Sequence, residues 1–156
     1  MVVQYAGNHA GAETLVQGTK RMRIDTQPHM AAINSPIHIL LVEDEFVDAE
    51  MTRKKLMRCA PLATMDVAKT TAQAIEKLRA NRYHCVLLDL NLPDSVGPSS
   101  IADIRQMDRR TPVIVLTGFA APITVEEALK AGAQKVLSKN DLTDLTLGEA
   151  LGRYCV

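Results

Sequence analysis

Glu43, Asp44 and Glu45 directly follow an apolar run at residues 37–42, and Asp89 directly follows a second one at residues 85–88. Thr117 closes a third run, and Ser138 with Lys139 closes a fourth. Carboxylates gathered together repel one another, and oxygen donors without His or Cys suit a hard cation. Mg²⁺ fits best, because it keeps several waters and takes only one or two carboxylates. A hydroxyl and an ammonium opposite the same carboxylate add an anion-recognising half. Thr can donate a hydrogen bond, and Lys is a compact phosphate-binding charge. Cation, carboxylate, hydroxyl and lysine together point to phosphoryl transfer to a carboxylate.

These residues converge only if the apolar runs are neighbouring strands that all end at one edge. The runs are short, nearly continuous and rich in Val, Ile and Leu, as strands covered on both faces require. Between them lie helical patterns. Residues 46–58, with Cys59 directly after them, place Ala49, Thr52, Leu56 and Cys59 at helical spacing, and residues 71–80 carry Ala74, Ile75 and Leu78. A dense set of turn formers spans residues 91–98, and Ser99 or Ser100 is expected to cap the next helix. Pro112 opens the fourth strand, Gly132 ends the fourth helix, and a weak last helix contains Gly148 and Gly152. Five strands alternating with five helices predict a doubly wound α/β domain: a five-stranded parallel sheet with helices on both faces. Ligands of such sheets bind beyond the carboxyl ends of the strands.

The 156 residues suffice for one domain, placed at 36–156, behind a tail at 1–35 that has no sustained period and is expected to hold little stable structure. Eighteen basic and eighteen acidic residues cancel, which argues against a nucleic-acid binder held by charge. Aromatic residues make up only 3% of the chain and Trp is absent, so the core must be aliphatic. Cys59, Cys85 and Cys155 form an odd set without a C-x-x-C pair and are expected to be buried, reduced thiols. No apolar stretch is long enough for a membrane helix, and a cytoplasmic, soluble protein is expected. The four histidines show no ligand spacing.

From Ile37 to about Leu151 the chain resembles the receiver domain of two-component response regulators. The resemblance rests on I-L-L-V-E-D-E, V-L-L-D-L-N-L-P-D-S-V-G, P-V-I-V-L-T-G and K-V-L-S-K-N, in that order. It implies the flavodoxin-like strand order 2-1-3-4-5. It further implies that Asp89 is the phosphoacceptor and that Asp44 and Asp89 ligate Mg²⁺, or Mn²⁺ in its place. Glu43 would act through water, and Asn91 would contribute its backbone carbonyl. Thr117 would contact the phosphoryl group, and Lys139 would neutralise a phosphoryl oxygen. Glu45 is read instead as a helix-capping residue.

The chain departs from the family where an aromatic residue is common three positions before the lysine, here Val136, and where a proline often follows the lysine, here Asn140. A trans peptide is therefore expected between Lys139 and Asn140. Phe119 is expected to slow loss of the phosphoryl group, because it cannot orient an attacking water. The expected function is that of a stand-alone, non-enzymatic signalling protein. It would be phosphorylated by a sensor histidine kinase or a histidine phosphotransfer protein. It would act on a downstream protein through the fourth helix, fifth strand and fifth helix, with homodimerisation allowed and neither a DNA-binding domain nor a membrane contact. Two alternatives carry weight: a haloacid-dehalogenase-like phosphatase, whose D-x-D signature Asp89 and Asn91 partly mimic, and a pseudo-receiver scaffold that works without phosphorylation.

Overall fold

The computed structural model describes residues 3–6, 12–16, 20–24, 32–118 and 120–156, in two units at residues 1–31 and 32–156. In the first unit, β1 (Val3–Ala6), β2 (Ala12–Val16) and β3 (Lys20–Ile24) form an antiparallel sheet in that order. Val3 stands opposite Val16 and Ala12 opposite Ile24. This differs from the little-structured tail that the sequence predicts for residues 1–35. Runs of four or five residues are too short to reveal a period, and in β3 the charged Arg21 and Arg23 hide the alternation with Met22 and Ile24.

The second unit contains β4 (His38–Val42), α1 (Phe46–Cys59), β5 (Thr64–Ala68), α2 (Thr71–Ala80) and β6 (Cys85–Asp89). It continues with β7 (Asn91–Leu92), β8 (Ser95–Val96), α3 (Ser99–Met107), β9 (Val113–Thr117), α4 (Pro122–Ala131), β10 (Lys135–Ser138) and α5 (Asp144–Tyr154). Its five long strands are all parallel, in the order β10-β9-β6-β4-β5. Numbered by their own sequence this is 2-1-3-4-5, the predicted doubly wound topology.

Side-chain alternation divides the sheet between two helical layers. Leu40, Val42, Val86, Leu88, Val113 and Val115 join Ala74 and Leu78 of α2, Ile101 and Ile104 of α3 and Ala128 of α4 in one core. The alternate residues Ile39, Leu41, Leu87, Ile114 and Leu116 are also buried, and α1 and α5 pack together with Leu56, Leu147 and Leu151 fully covered. All three cysteines are buried and free.

Three local expectations change. The N-cap of α3 is Pro98, not Ser99 or Ser100; the Ser100 hydroxyl instead donates back to the Gly97 carbonyl at 3.3 Å. The turn-forming stretch at 91–98 folds as a small hairpin of β7 and β8. The last helix is a full α5 of 11 residues, because a reciprocal cap between Thr143 and Thr146 offsets the glycines.

Candidate functional site

The register of the sheet brings the strand ends together. Val42 pairs with Leu88, Asp89 with Leu116 and Thr117 with Ser138, so Glu43, Asp89, Thr117 and Lys139 all lie at one edge, on successive strands or just beyond them. Parallel strands make this unavoidable, since every crossover returns the chain to the opposite edge.

Glu43, Asp44 and Asp89 each offer a carboxylate oxygen within 4.8 Å of the others. Glu43 is 3% exposed and Asp89 5%, so their charges are largely withdrawn from water. Burial raises the Glu43 pKa, and the proximity of Asp89 adds to this; hydrogen bonds from Lys139 and the Glu45 N–H only partly oppose the rise. An all-oxygen donor set of three carboxylates, two of them buried, fits a hard divalent cation.

The Lys139 ammonium lies among these groups. Its Nζ donates to Glu43 Oε2 at 2.6 Å, to Asp48 Oδ2 at 2.8 Å and to Asp89 Oδ2 at 3.2 Å. Burial alone would lower its pKa, but bonds to Asp48 and Glu43 and the charge of Asp89 outweigh this and raise it. It is therefore a fixed cation, not a solvated surface lysine. Asp48 was missed by sequence reasoning. It sits in the first turn of α1, where an acidic residue commonly complements the helix dipole, and its position after the acidic strand end was the only signal available.

The remaining candidates are placed as follows. Asn91 is exposed at the start of β7, and its N–H donates to Asp89 Oδ1 at 3.2 Å, so the acceptor loop folds back on the carboxylate. Thr117 ends β9 and is 8% exposed. Glu45 occupies the N-cap of α1, but its side chain makes no cap bond; instead its N–H donates to Glu43 Oε1 at 3.1 Å. Val136 packs against the core. The Lys139–Asn140 peptide is trans, and the Asn140 amide donates to the Gly118 carbonyl at 3.3 Å, tying the loop after β9 to the turn after β10. Phe119 lies outside the described residues. His38 is not at this edge: its Nε2 lies 3.0 Å from Asp66 Oδ2, which also accepts from the Tyr83 hydroxyl at 2.7 Å.

Residues 39–147 match the response regulator receiver domain family. The two-component response regulator ORR41 of Oryza sativa subsp. japonica is 30% identical over 120 residues, covering 76% of this chain and 94% of that protein. Transcription factor SKN7 of Saccharomyces cerevisiae is 29% identical over 115 residues, or 74% of this chain. The chain spans only 18% of SKN7, and 19% and 26% of two further relatives. Among solved structures, the receiver domain of sensor histidine kinase PA1611 from Pseudomonas aeruginosa PAO1 has a magnesium ion coordinated in its active site cleft. It superposes with a TM-score of 0.68 at 29% identity, over 78% of this chain and 98% of that one. A putative response regulator from Chloroflexus aurantiacus shares the fold, with a TM-score of 0.71 at 21% identity over 78% of this chain and 98% of that one.

Proposed function

Because the chain belongs to the response regulator receiver family, we propose that Asp89 accepts a phosphoryl group from a phosphohistidine on a histidine kinase or phosphotransfer protein. The observation that carries this reading is the Asp89 carboxylate held between the Glu43–Asp44 pair and the Lys139 ammonium. An Asp89 carboxylate oxygen attacks phosphorus, an O–P bond forms, and the N–P bond breaks with its electron pair going to the departing imidazole. Lys139 offsets charge on the transferring oxygens, and Thr117 donates a hydrogen bond to one of them. Asp44 and Asp89 would hold Mg²⁺, or Mn²⁺ in its place, directly, the Asn91 carbonyl would complete the set, and Glu43 would act through water. The ion supplies Lewis-acid charge neutralisation.

The chain then acts as a cytoplasmic signal carrier. Phosphorylation draws on Thr117 and Lys139, and the change passes through the loop after β9 into α4, β10 and α5, the face offered to a downstream protein or to a second copy. With Val136 where an aromatic ring is common, this change is carried by the loop and α4. Phe119 slows loss of the group. Self-phosphorylation and self-dephosphorylation are its only chemistry. Membership of the receiver family sets aside the phosphatase alternative.

Intact-mass analysis after exposure to acetyl phosphate and Mg²⁺ tests the reading. One acid-labile phosphoryl group is expected on the wild type and none on Asp89→Asn. An unlabelled wild type would favour the pseudo-receiver, and full labelling of Asp89→Asn would move the acceptor elsewhere.

A further inference from the structure

We propose that Asp48 is a positioning residue for Lys139. It anchors the ammonium beside the acceptor carboxylate and retains it when a cation takes up Glu43 and Asp89. The proposal rests on the reading of this edge as a cation-dependent phosphoacceptor site.

An ammonium has three N–H donors, and Lys139 has three carboxylate partners, so its capacity is filled. Those partners are not equivalent. Glu43 and Asp89 are also members of the three-carboxylate cluster, whereas Asp48 is not. Side-chain exposure separates them the same way, at 3% for Glu43, 6% for Asp89 and 42% for Asp48. A cation entering the cluster therefore competes with Lys139 for Glu43 and Asp89, but not for Asp48. The backbone at Asp48 is pinned: it lies within a helix of 14 residues, and the buried Thr52 hydroxyl donates to its carbonyl at 3.0 Å. Asp48 is thus a fixed alternative partner 2.8 Å from the ammonium. Without it, the only remaining partners of Lys139 among the described residues are the two carboxylates of the cluster, Glu43 and Asp89, and the ammonium holds them against the cation.

A plain electrostatic role for Asp48 predicts something different. One more negative charge near the cluster would favour Mg²⁺ by about the same factor whether or not Lys139 is present. A double-mutant cycle separates the two, because only a residue acting through Lys139 loses its effect when Lys139 is removed.

Mg²⁺ affinity of the full chain is measured by amide-shift titration for the wild type, Asp48→Asn, Lys139→Met and the double variant. Asp48→Asn is expected to weaken binding by about tenfold with Lys139 present and by about twofold in the Lys139→Met background, the residue of a screened surface charge. A loss with Lys139 present that is no more than twice the loss in the Lys139→Met background overturns the proposal. Should Lys139→Met not fold, acylation of Lys139 by an N-hydroxysuccinimide ester in metal-free protein decides instead. Its rate rises several-fold in Asp48→Asn if Asp48 anchors the ammonium, and an unchanged rate overturns the proposal. Neither readout needs a phosphodonor. A wild type that takes no phosphoryl group on Asp89 therefore defeats the functional reading while leaving the role of Asp48 to these measurements.

Discussion

Two cations organise opposite ends of the β9–β10 pair, and they are held in opposite ways. At the carboxyl edge, Lys139 is held by three carboxylates. At the amino edge, Arg105 of α3 is held by neutral oxygens. Its Nε and Nη2 donate to the Gly132 carbonyl at 3.0 and 2.8 Å, its Nη1 to the Asp108 and Thr111 carbonyls at 3.2 and 2.6 Å, and its Nη2 also to Gln134 Oε1 at 2.9 Å. All five guanidinium N–H groups are satisfied, and the fork joins α3, the end of α4 and the entries to β9 and β10. Gly132 makes this approach possible: its φ of 115° is left-handed, and a Cβ there would stand 3.0 Å from Arg105 Nε. Backbone carbonyls cannot titrate, bind phosphate or exchange partners cheaply, so this end is built for permanence. The partners of Lys139 can be taken by a cation or altered by a phosphoryl group. That end is built for change.

The widest separation between the two ends should appear in stability. Arg105→Ala is expected to cost about 2–4 kcal/mol in urea unfolding, because the partly buried Gly132, Asp108 and Thr111 carbonyls lose their donor. Added Mg²⁺ should not restore it. Lys139→Ala should also destabilise the metal-free protein, since Glu43 and Asp89 are left buried and repelling one another, but here Mg²⁺ should recover much of the loss. Equal responses to Mg²⁺ would erase the distinction.

A second comparison lies within the acidic edge. Glu43→Gln should weaken Mg²⁺ binding by about 10–100-fold, as for an outer-shell ligand, and Asp44→Asn should weaken it further because a direct ligand is lost. A calorimetric titration with the order reversed would exchange the two roles.

The smallest effect is pH-dependent and belongs to the amino edge. Partial burial pushes the Asp108 carboxyl up, but bonds from the Thr111 hydroxyl and N–H and the Arg110 N–H, with Arg105 nearby, hold it below the usual carboxylate range. A lowered folded-state pKa means that this stabilisation is fully present above about pH 4, the unfolded-state value. It is lost as pH falls through the lower folded-state value. Asp108→Ala should therefore lower the melting temperature at pH 7 and lose less of it than the wild type between pH 4 and pH 3. Parallel melting curves across that window would show that the carboxylate contributes nothing.

What the sequence made legible follows the same division. Apolar runs ending in Glu43, Asp89, Thr117 and Lys139 announce a parallel sheet and its reactive edge, because burial writes hydrophobic continuity and chemistry breaks it. Asp48 was hidden because an acid in a first helical turn already has a sufficient local reason. The Arg105 fork was hidden because all its partners but Gln134 are main-chain carbonyls, which carry no side-chain signature. Thr143 and Thr146 rescued a helix that Gly148 and Gly152 made doubtful, since one good cap outweighs modest propensity losses.

The most direct test of this contrast is a map of amide shifts on adding beryllofluoride with Mg²⁺, a stable mimic of the phosphoryl group. The account predicts large shifts at residues 43–48, 89–97, 117–118 and 139–141, continuing into α4, with residues 105–111 and 132–134 nearly unmoved. Shifts centred on the Arg105 end, or no shifts at the carboxyl edge, would contradict it.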